Sequence, residues 1–303
     1  MTYTLGNNDT STWTLVSTAA TEQSIDFGGK KTASVTYNGA GGIWKYAANH
    51  STNDYRYGIG IYLSAGELRL NGKTFNVSHF ETNGSGVKVL NFGTGCLING
   101  NSASGFKFYG TNLTIISSDE VLSFNAGGNG VIDCGTNRMN KVKFTSMNAT
   151  LANGNLAEVE LTDTNVNGIL TLTAGTIDLL RWTGAAQVTN NGANIASLLI
   201  GTATTSARVL NGGRTYPSLT YTTAGSTGKL KLTGANTITA LSFSDANNAR
   251  TLELPASLTT TIGGITMNGS SGKLITLQST TPGTPATLSL STPQVSNYLS
   301  VQD

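Results

Sequence analysis

Triplets in which two apolar residues flank a third, usually polar, residue recur along the chain between residues 142 and 277. The interval from Phe144 to Leu161 is 17 residues, and the intervals lengthen to 24 residues between Phe243 and Met267. The triplets are Val142-Lys143-Phe144, Val159-Glu160-Leu161, Ile177-Asp178-Leu179, Leu198-Leu199-Ile200, Leu219-Thr220-Tyr221, Leu241-Ser242-Phe243 and Ile265-Thr266-Met267. Repeats of about 20 residues, each too small to bury its own apolar face, are typical of solenoids.

A second series of apolar strands lies between these triplets and starts at Arg208, Lys229, Arg250 and Lys273. Two strands per repeat describe one coil of a β-helix, in which alternate side chains point inward. Coils stacked about 4.8 Å apart pair their backbones and bury a continuous core. We therefore predict an all-β fold, a right-handed parallel β-helix over residues 71–303, with the third residues of the triplets in one inward column.

Turn signals separate the strands. Asn-Gly pairs supply residues that tolerate positive φ. The turns predicted in this way are Asn71-Gly72, Asn83-Gly84, Asn99-Gly100, Asn129-Gly130, Asn153-Gly154 and Asn167-Gly168. No segment has the periodicity of an amphipathic helix.

The first 70 residues differ from the rest, because aromatic residues are concentrated there and the period is not visible. We expect a β-rich N-terminal cap over residues 1–70, which covers the first coil of the solenoid. The same region is a candidate attachment surface for another protein, since aromatic residues dominate interface cores. The candidate interface residues are Trp13, Trp44, Tyr46, Tyr55 and Tyr57.

Charge and composition narrow the function. Charged residues make up 11% of the chain, against about 25% in ordinary soluble domains. The net charge of +2 is too small to favour a nucleic-acid partner. No stretch approaches 18 consecutive apolar residues, so we expect no membrane insertion. The N-terminus has neither the basic nor the apolar region of a secretion signal, so synthesis in a cytoplasm is expected.

Cysteine and histidine are scarce. Cys96 and Cys134 are predicted to be free buried thiols, because two cysteines make neither a metal signature nor a disulfide framework. His50 and His79 have no further ligand at a suitable spacing, so no metal site is expected. No phosphate-binding loop is present either, and we expect no cofactor.

Two carboxylates are the best candidates for catalysis. If the triplets are in register, Glu160 and Asp178 stack about 4.8 Å apart, close to the carboxylate separation of about 5 Å in retaining glycosidases. The alternative is a solvated row of charges in which Lys143 offsets Glu160. The sequence favours the solvated row.

The four cations that start the second series of strands also have two interpretations. Stacked like charges cost stability, which an anionic partner could offset. The favoured alternative places these side chains at corners of the coil, where they extend into water and discourage edge pairing.

The C-terminal part of the sequence carries a family resemblance. Residues 272–291, Gly-Lys-Leu-Ile-Thr-Leu-Gln-Ser-Thr-Thr-Pro-Gly-Thr-Pro-Ala-Thr-Leu-Ser-Leu-Ser, and residues 297–303, Asn-Tyr-Leu-Ser-Val-Gln-Asp, resemble a module of bacteriophage virion proteins. That family includes tail fibres, tail spikes and head-attached fibres. The resemblance implies a β-rich fibre located in the virion and made in the host cytoplasm. It transfers no catalytic residue.

The function expected from this resemblance is that of a non-enzymatic structural component of a virion, as a tail fibre, spike or capsid-surface decoration. The alternative is a polysaccharide depolymerase or a glycan-binding tail spike. Other virion proteins and a host-surface glycan are the expected partners. Because the last coil, which ends at Asp303, is expected to leave a strand edge unpaired, we also expect assembly, as a homotrimer by analogy with phage fibres.

Overall fold

The structure is a computed structural model of the chain that describes residues 12–52, 59–125, 130–146, 148–201, 206–222 and 228–303. Every regular element in these residues is a β-strand, and none is a helix. The strands divide between two compact units, Met1–Ala157 and Glu158–Asp303. The all-β, parallel β-solenoid prediction is confirmed.

The first unit contains strands that pair in parallel. They are β1 (Trp13–Leu15), β2 (Glu22–Ile25), β3 (Lys31–Thr32), β4 (Val35–Tyr46), β5 (His50–Thr52), β6 (Gly60–Arg69), β7 (Thr74–Thr82), β8 (Lys88–Asn91), β9 (Leu97–Lys107), β10 (Leu113–Ile116), β11 (Val121–Asn125) and β12 (Gly130–Ser146). Strand β13 (Ala149–Leu161) begins in this unit and ends in the next.

The second unit continues with shorter strands. They are β14 (Ile169–Leu172), β15 (Thr176–Trp182), β16 (Gln187–Asn190), β17 (Asn194–Ile200), β18 (Arg208–Asn211), β19 (Thr215–Tyr221), β20 (Leu230–Leu232), β21 (Thr237–Phe243), β22 (Arg250–Leu254), β23 (Thr259–Thr266), β24 (Ile275–Ser279), β25 (Thr287–Leu290) and β26 (Leu299–Val301). Even-numbered strands pair in parallel with the next even-numbered strand, and odd-numbered strands with the next odd-numbered strand. Each coil of this unit therefore contributes one strand to each of two parallel ladders.

The predicted inward column is confirmed in part. Ile200 pairs with Tyr221, and Tyr221 pairs with Phe243, and all three side chains are buried. Their neighbour in the preceding coil is Trp182, not Leu179 as the sequence predicted. The triplet that belongs in the ladder is thus Leu180-Arg181-Trp182, three residues further along.

Parallel coils also occupy the described residues of the region that was predicted to be a cap. Trp13 pairs with Val35, and Val35 pairs with Ile61. The predicted division at residue 70 has no counterpart in this pairing. The repeat is hidden in the sequence because the register of β4 shifts between Tyr37 and Ile43, which lengthens that coil.

Candidate functional site

The two candidate catalytic carboxylates are not neighbours in the ladder. The Thr183 N–H donates to the Leu161 carbonyl, which aligns Trp182 with Leu161 and therefore Arg181 with Glu160. Asp178 lies three residues before Arg181, so the predicted stacking of Glu160 on Asp178 does not occur. Arg181 Nε donates to Glu158 Oε1 at 3.0 Å. The outer face here combines opposite charges and holds no stacked carboxylate pair of the kind a retaining glycosidase needs.

Asp178 instead lines a groove on the outer surface of the second unit. The groove has a volume of about 350 Å³ and crosses three successive coils. Its lining comprises Thr176, Ile177, Asp178, Asn194, Ile195, Ala196, Thr215 and Pro217. Ile177 and Ile195 pair with each other across the coils and are buried beneath the groove. Its exposed residues include the apolar Ala196 and Pro217 and the polar Asp178 and Asn194. Exposed apolar surface beside a few polar groups is typical of a small-ligand site.

The candidate interface residues are placed differently by the structure. Trp44 and Tyr46 are only 2% and 1% exposed, so they fill the core of the first unit and do not contribute to an outer surface. The Tyr37 hydroxyl donates to the Tyr46 hydroxyl at 2.6 Å. Trp13 is half-buried, and Tyr55 and Tyr57 lie outside the described residues.

Arg208 and Arg250 lie inside the second unit, although the sequence favoured corner positions in water. Arg208 is fully buried, and it pairs with the buried Leu230 of β20 in the even-numbered ladder. Its Nε donates to the Gly184 carbonyl at 2.9 Å, Nη1 to the Tyr221 hydroxyl at 2.9 Å, and Nη2 to the Gly201 carbonyl at 3.0 Å. Burial lowers the pKa of Arg208, but the guanidinium stays charged because an arginine side chain does not lose its proton in proteins.

Arg250 is held by an ion pair and by backbone groups. Its Nη2 donates to Asp245 Oδ2 at 2.6 Å, with both side chains buried, and its Nη1 donates to the Tyr221 carbonyl at 2.6 Å. The guanidinium lies 4.4 Å from the centre of the Tyr221 ring, a cation–π distance. Burial alone would raise the pKa of Asp245, but hydrogen bonds from Asn247 and Asn248 and the charge of Arg250 lower it below its ordinary value.

Lys88 repeats the arrangement in the first unit. This fully buried residue donates from Nζ to the carbonyls of Gly84, Gly86 and Thr111, at 2.7, 2.9 and 3.2 Å. Burial lowers the pKa of the Lys88 ammonium. Because turn carbonyls converge on each of these three cations, the cations satisfy backbone groups that a closed coil would otherwise leave unpaired.

Lys229 and Lys273 fit the interpretation that the sequence favoured for all four cations. Lys229 Nζ forms an ion pair with Glu253 at 2.7 Å, and its side chain is half exposed. Lys273 is exposed.

The two cysteines are free and buried, as predicted. Burial, assisted by the nearby charge of Glu120, raises the pKa of Cys96 to about 12 and raises that of Cys134 further. Both thiols are therefore protonated and inert at neutral pH. Glu120 is fully buried and accepts hydrogen bonds from the Ser117 hydroxyl and the Asn140 N–H, so it serves local structure.

The two histidines have different surroundings. His50 packs against the Phe27 ring, with ring centres 4.8 Å apart, and its Nε2 lies 3.2 Å from the Thr32 hydroxyl. His79 pairs with Glu81 at 2.8 Å. Within the part of the chain that the structure describes, no cluster of three or more His, Cys, Asp or Glu side chains could hold a metal ion. The described residues also include no helix long and apolar enough to cross a membrane.

A sequence signal for the buried arginines does exist. Arg208 is two residues before Leu210, and Arg250 is two residues before Leu252, so alternation along a strand puts each arginine on the same face as an inward leucine. The sequence contains no comparable signal for the groove, because the groove depends on how the neighbouring strands β15, β17 and β19 bend.

Comparison with known proteins identifies no relative. No family model, no curated protein and no solved structure matches the chain.

Proposed function

We propose that this chain is a non-enzymatic structural component of a bacteriophage virion, used as a tail fibre, a spike or a capsid-surface decoration. The observation that carries the proposal is the stacking of parallel coils in both units, because stacked coils fix the spacing of surface groups and present long lateral faces. The resemblance of residues 272–291 and 297–303 to a virion module supports the same class. The buried cations add support, since Arg208, Arg250 and Lys88 donate hydrogen bonds to carbonyl groups of the chain itself.

The proposal includes assembly with other virion proteins or as a homo-oligomer, with a trimer suggested by analogy with phage fibres. Sedimentation equilibrium of the purified chain tests this part. A defined oligomer, or a monomer that binds a second virion protein, is expected. A monomer that neither associates nor joins particles would contradict it.

The proposal also requires that the chain cleave no polysaccharide. Purified protein is expected to release neither reducing ends nor unsaturated products from bacterial capsule or lipopolysaccharide. The Glu160→Gln and Asp178→Asn variants serve as controls. Cleavage that disappears in either variant would support the depolymerase alternative.

A second candidate function is glycan binding, and the groove beside Asp178 is the observation that favours it. A pyranose ring has apolar C–H faces and a rim of hydroxyls, which matches the exposed Ala196 and Pro217 and the Asp178 and Asn194 side chains of the groove. Coils about 4.8 Å apart also offer one binding position per sugar of an extended chain. In this role the chain would contact a host-surface glycan without cleaving it.

Filling the groove tests glycan binding directly. Ala196 is an exposed groove residue, and Ala249 is exposed on a turn outside the groove. Ala196→Trp is expected to abolish binding to a glycan array of host polysaccharides, while Ala249→Trp retains it. Equal binding by the two variants, or no binding by the unaltered chain, would rule out this function for the groove.

A further inference from the structure

Asn-Gly pairs can undergo a spontaneous reaction that changes charge. The glycine nitrogen attacks the carbonyl carbon of the asparagine side chain, a new C–N bond forms, and ammonia leaves. Water then opens the resulting succinimide to aspartate or isoaspartate. Glycine permits this attack because it carries no side chain. A donor on the amide oxygen assists it by stabilising the negative charge that develops there.

The chain contains ten Asn-Gly pairs, and the structure disfavours the reaction at most of them. Three described pairs lie inside strands, namely Asn38-Gly39, Asn99-Gly100 and Asn153-Gly154. In three others the glycine N–H donates to a carbonyl, from Gly72 to Phe92, from Gly168 to Asn165, and from Gly269 to Asn297. Asn211 also has a donor on its amide oxygen, the Thr233 hydroxyl, but it lies in β18 and the Gly212 N–H donates to that same hydroxyl. Asn129 is outside the described residues.

Two pairs remain, Asn83-Gly84 and Asn191-Gly192. Both lie outside strands, and neither glycine N–H has an acceptor within the described parts of the chain. They differ at the asparagine side chain. The Ser64 hydroxyl donates to Asn83 Oδ1 at 2.6 Å, whereas Asn191 has no such donor among the described residues.

A positive charge adjoins the first of these pairs. Lys88 Nζ donates to the Gly84 carbonyl at 2.7 Å, which places an ammonium group one residue from the reacting amide. This charge favours the negative charge of the tetrahedral intermediate and afterwards the carboxylate of the product. The backbone of Gly84 has a φ of 77°, so the turn needs glycine at this position.

We propose that Asn83 is the chain's preferred site of spontaneous conversion to aspartate or isoaspartate, with the Ser64 hydroxyl accelerating the step. The conversion adds one negative charge and lowers the formal net charge from +2 to +1. It also places a carboxylate in the turn whose carbonyls hold the buried Lys88. The folded protein therefore acquires a localised, time-dependent change in surface charge.

Peptide mapping by mass spectrometry tests the proposal on the full folded chain, incubated at mildly alkaline pH and sampled over time. Asn83 is expected to convert before Asn191 and before the other Asn-Gly pairs. In Ser64→Ala, Asn83 is expected to convert no faster than Asn191. In Ser64→Thr, which retains a hydroxyl, Asn83 is expected to convert faster than Asn191, as in the unaltered chain. Ser242→Ala, an outward substitution in the second unit, should leave the order unchanged.

The same chain unfolded in urea provides the reference, because all Asn-Gly pairs should then convert at similar rates. Faster conversion at any other pair of the folded chain would overturn the proposal. The proposal would also be overturned if Asn83 still converted faster than Asn191 in the Ser64→Ala variant and circular dichroism showed that variant to be folded. If Ser64→Ala does not fold, Ser64→Thr is compared with the unaltered chain. Equal conversion rates of Asn83 and Asn191 in Ser64→Thr would then overturn the role of the hydroxyl.

Discussion

At the scale of single residues, the main feature is that the solenoid buries cations in its interior. A charged side chain is ordinarily expected on the protein surface, because burying an unpaired charge is costly. Here Arg208 and Lys88 are accepted inside because carbonyl groups of turns surround them. The Gly184 carbonyl that accepts from Arg208 lies 24 residues away, so the sequence alone could not reveal it, although the alternation of Arg208 with Leu210 indicated the inward direction. The Gly84 and Gly86 carbonyls, in contrast, lie within four residues of Lys88.

Replacing Arg250 with methionine tests this interpretation of the interior. The substitution leaves the Asp245 carboxylate buried without its partner, which should lower the free energy of unfolding by about 3–5 kcal/mol. Urea denaturation measures the change. Lys231→Met, on the outward face of β20, is the matched control and should change stability by less than about 0.5 kcal/mol. Similar effects of the two substitutions would contradict the buried ion pair.

The burial of His50 leads us to expect that the free energy of unfolding depends on pH. Burial lowers the pKa of His50 to about 3 from the ordinary value of 6.5, so between these values the unfolded chain binds a proton that the folded chain does not. Stability should therefore fall as the pH drops from 6.5 towards 3, by up to about 1.4 kcal/mol per unit.

The His50→Phe variant isolates this contribution. Phenylalanine suits the ring cluster of Phe27, Tyr46 and Phe75 and cannot be protonated. Urea denaturation at a series of pH values should show a shallower dependence in the variant. An unchanged slope would show that His50 does not titrate as its burial requires.

At the scale of elements, the strands of the second unit share a bend. In β15, β17 and β19 the second, fifth and seventh residues are buried, so the inward spacing is first three residues and then two. Strict alternation places Leu179 inside, which is why the sequence interpretation selected that residue over Trp182. The later triplets were placed correctly because Ile200, Tyr221 and Phe243 follow the bend in their strands. The bend itself arises from coil closure, which a period of two does not encode.

Two alanine substitutions distinguish the observed register of the ladder from the register that the sequence predicted. Trp182 is fully buried, so Trp182→Ala should lower the free energy of unfolding by about 3–5 kcal/mol. Leu179 is half-buried, so Leu179→Ala should cost clearly less. If urea denaturation gave the larger loss for Leu179→Ala, the ladder would be in the register that the sequence predicted, and the bend would be refuted.

At the scale of the whole molecule, the sequence correctly predicted the fold class and placed few of the functional groups. Repeats of similar length made the coils recognisable from residue 142 onward, whereas the irregular register of β4 concealed those near the N-terminus. The aromatic residues of that region suggested an interface, but Trp44 and Tyr46 pack within the coils. Aromatic composition alone does not distinguish a core from a contact surface, because both are apolar and well packed.

The central functional claim is that this chain is part of a virion, and its location in intact particles tests it most directly. Purified particles assembled from the genome that encodes the chain should be labelled by gold-conjugated antibody against it in electron micrographs. We expect labelling at a fixed position on the tail or on the capsid surface, and its loss from particles made without the chain. Particles that assemble normally and carry no label while the chain remains free in the lysate would contradict the account.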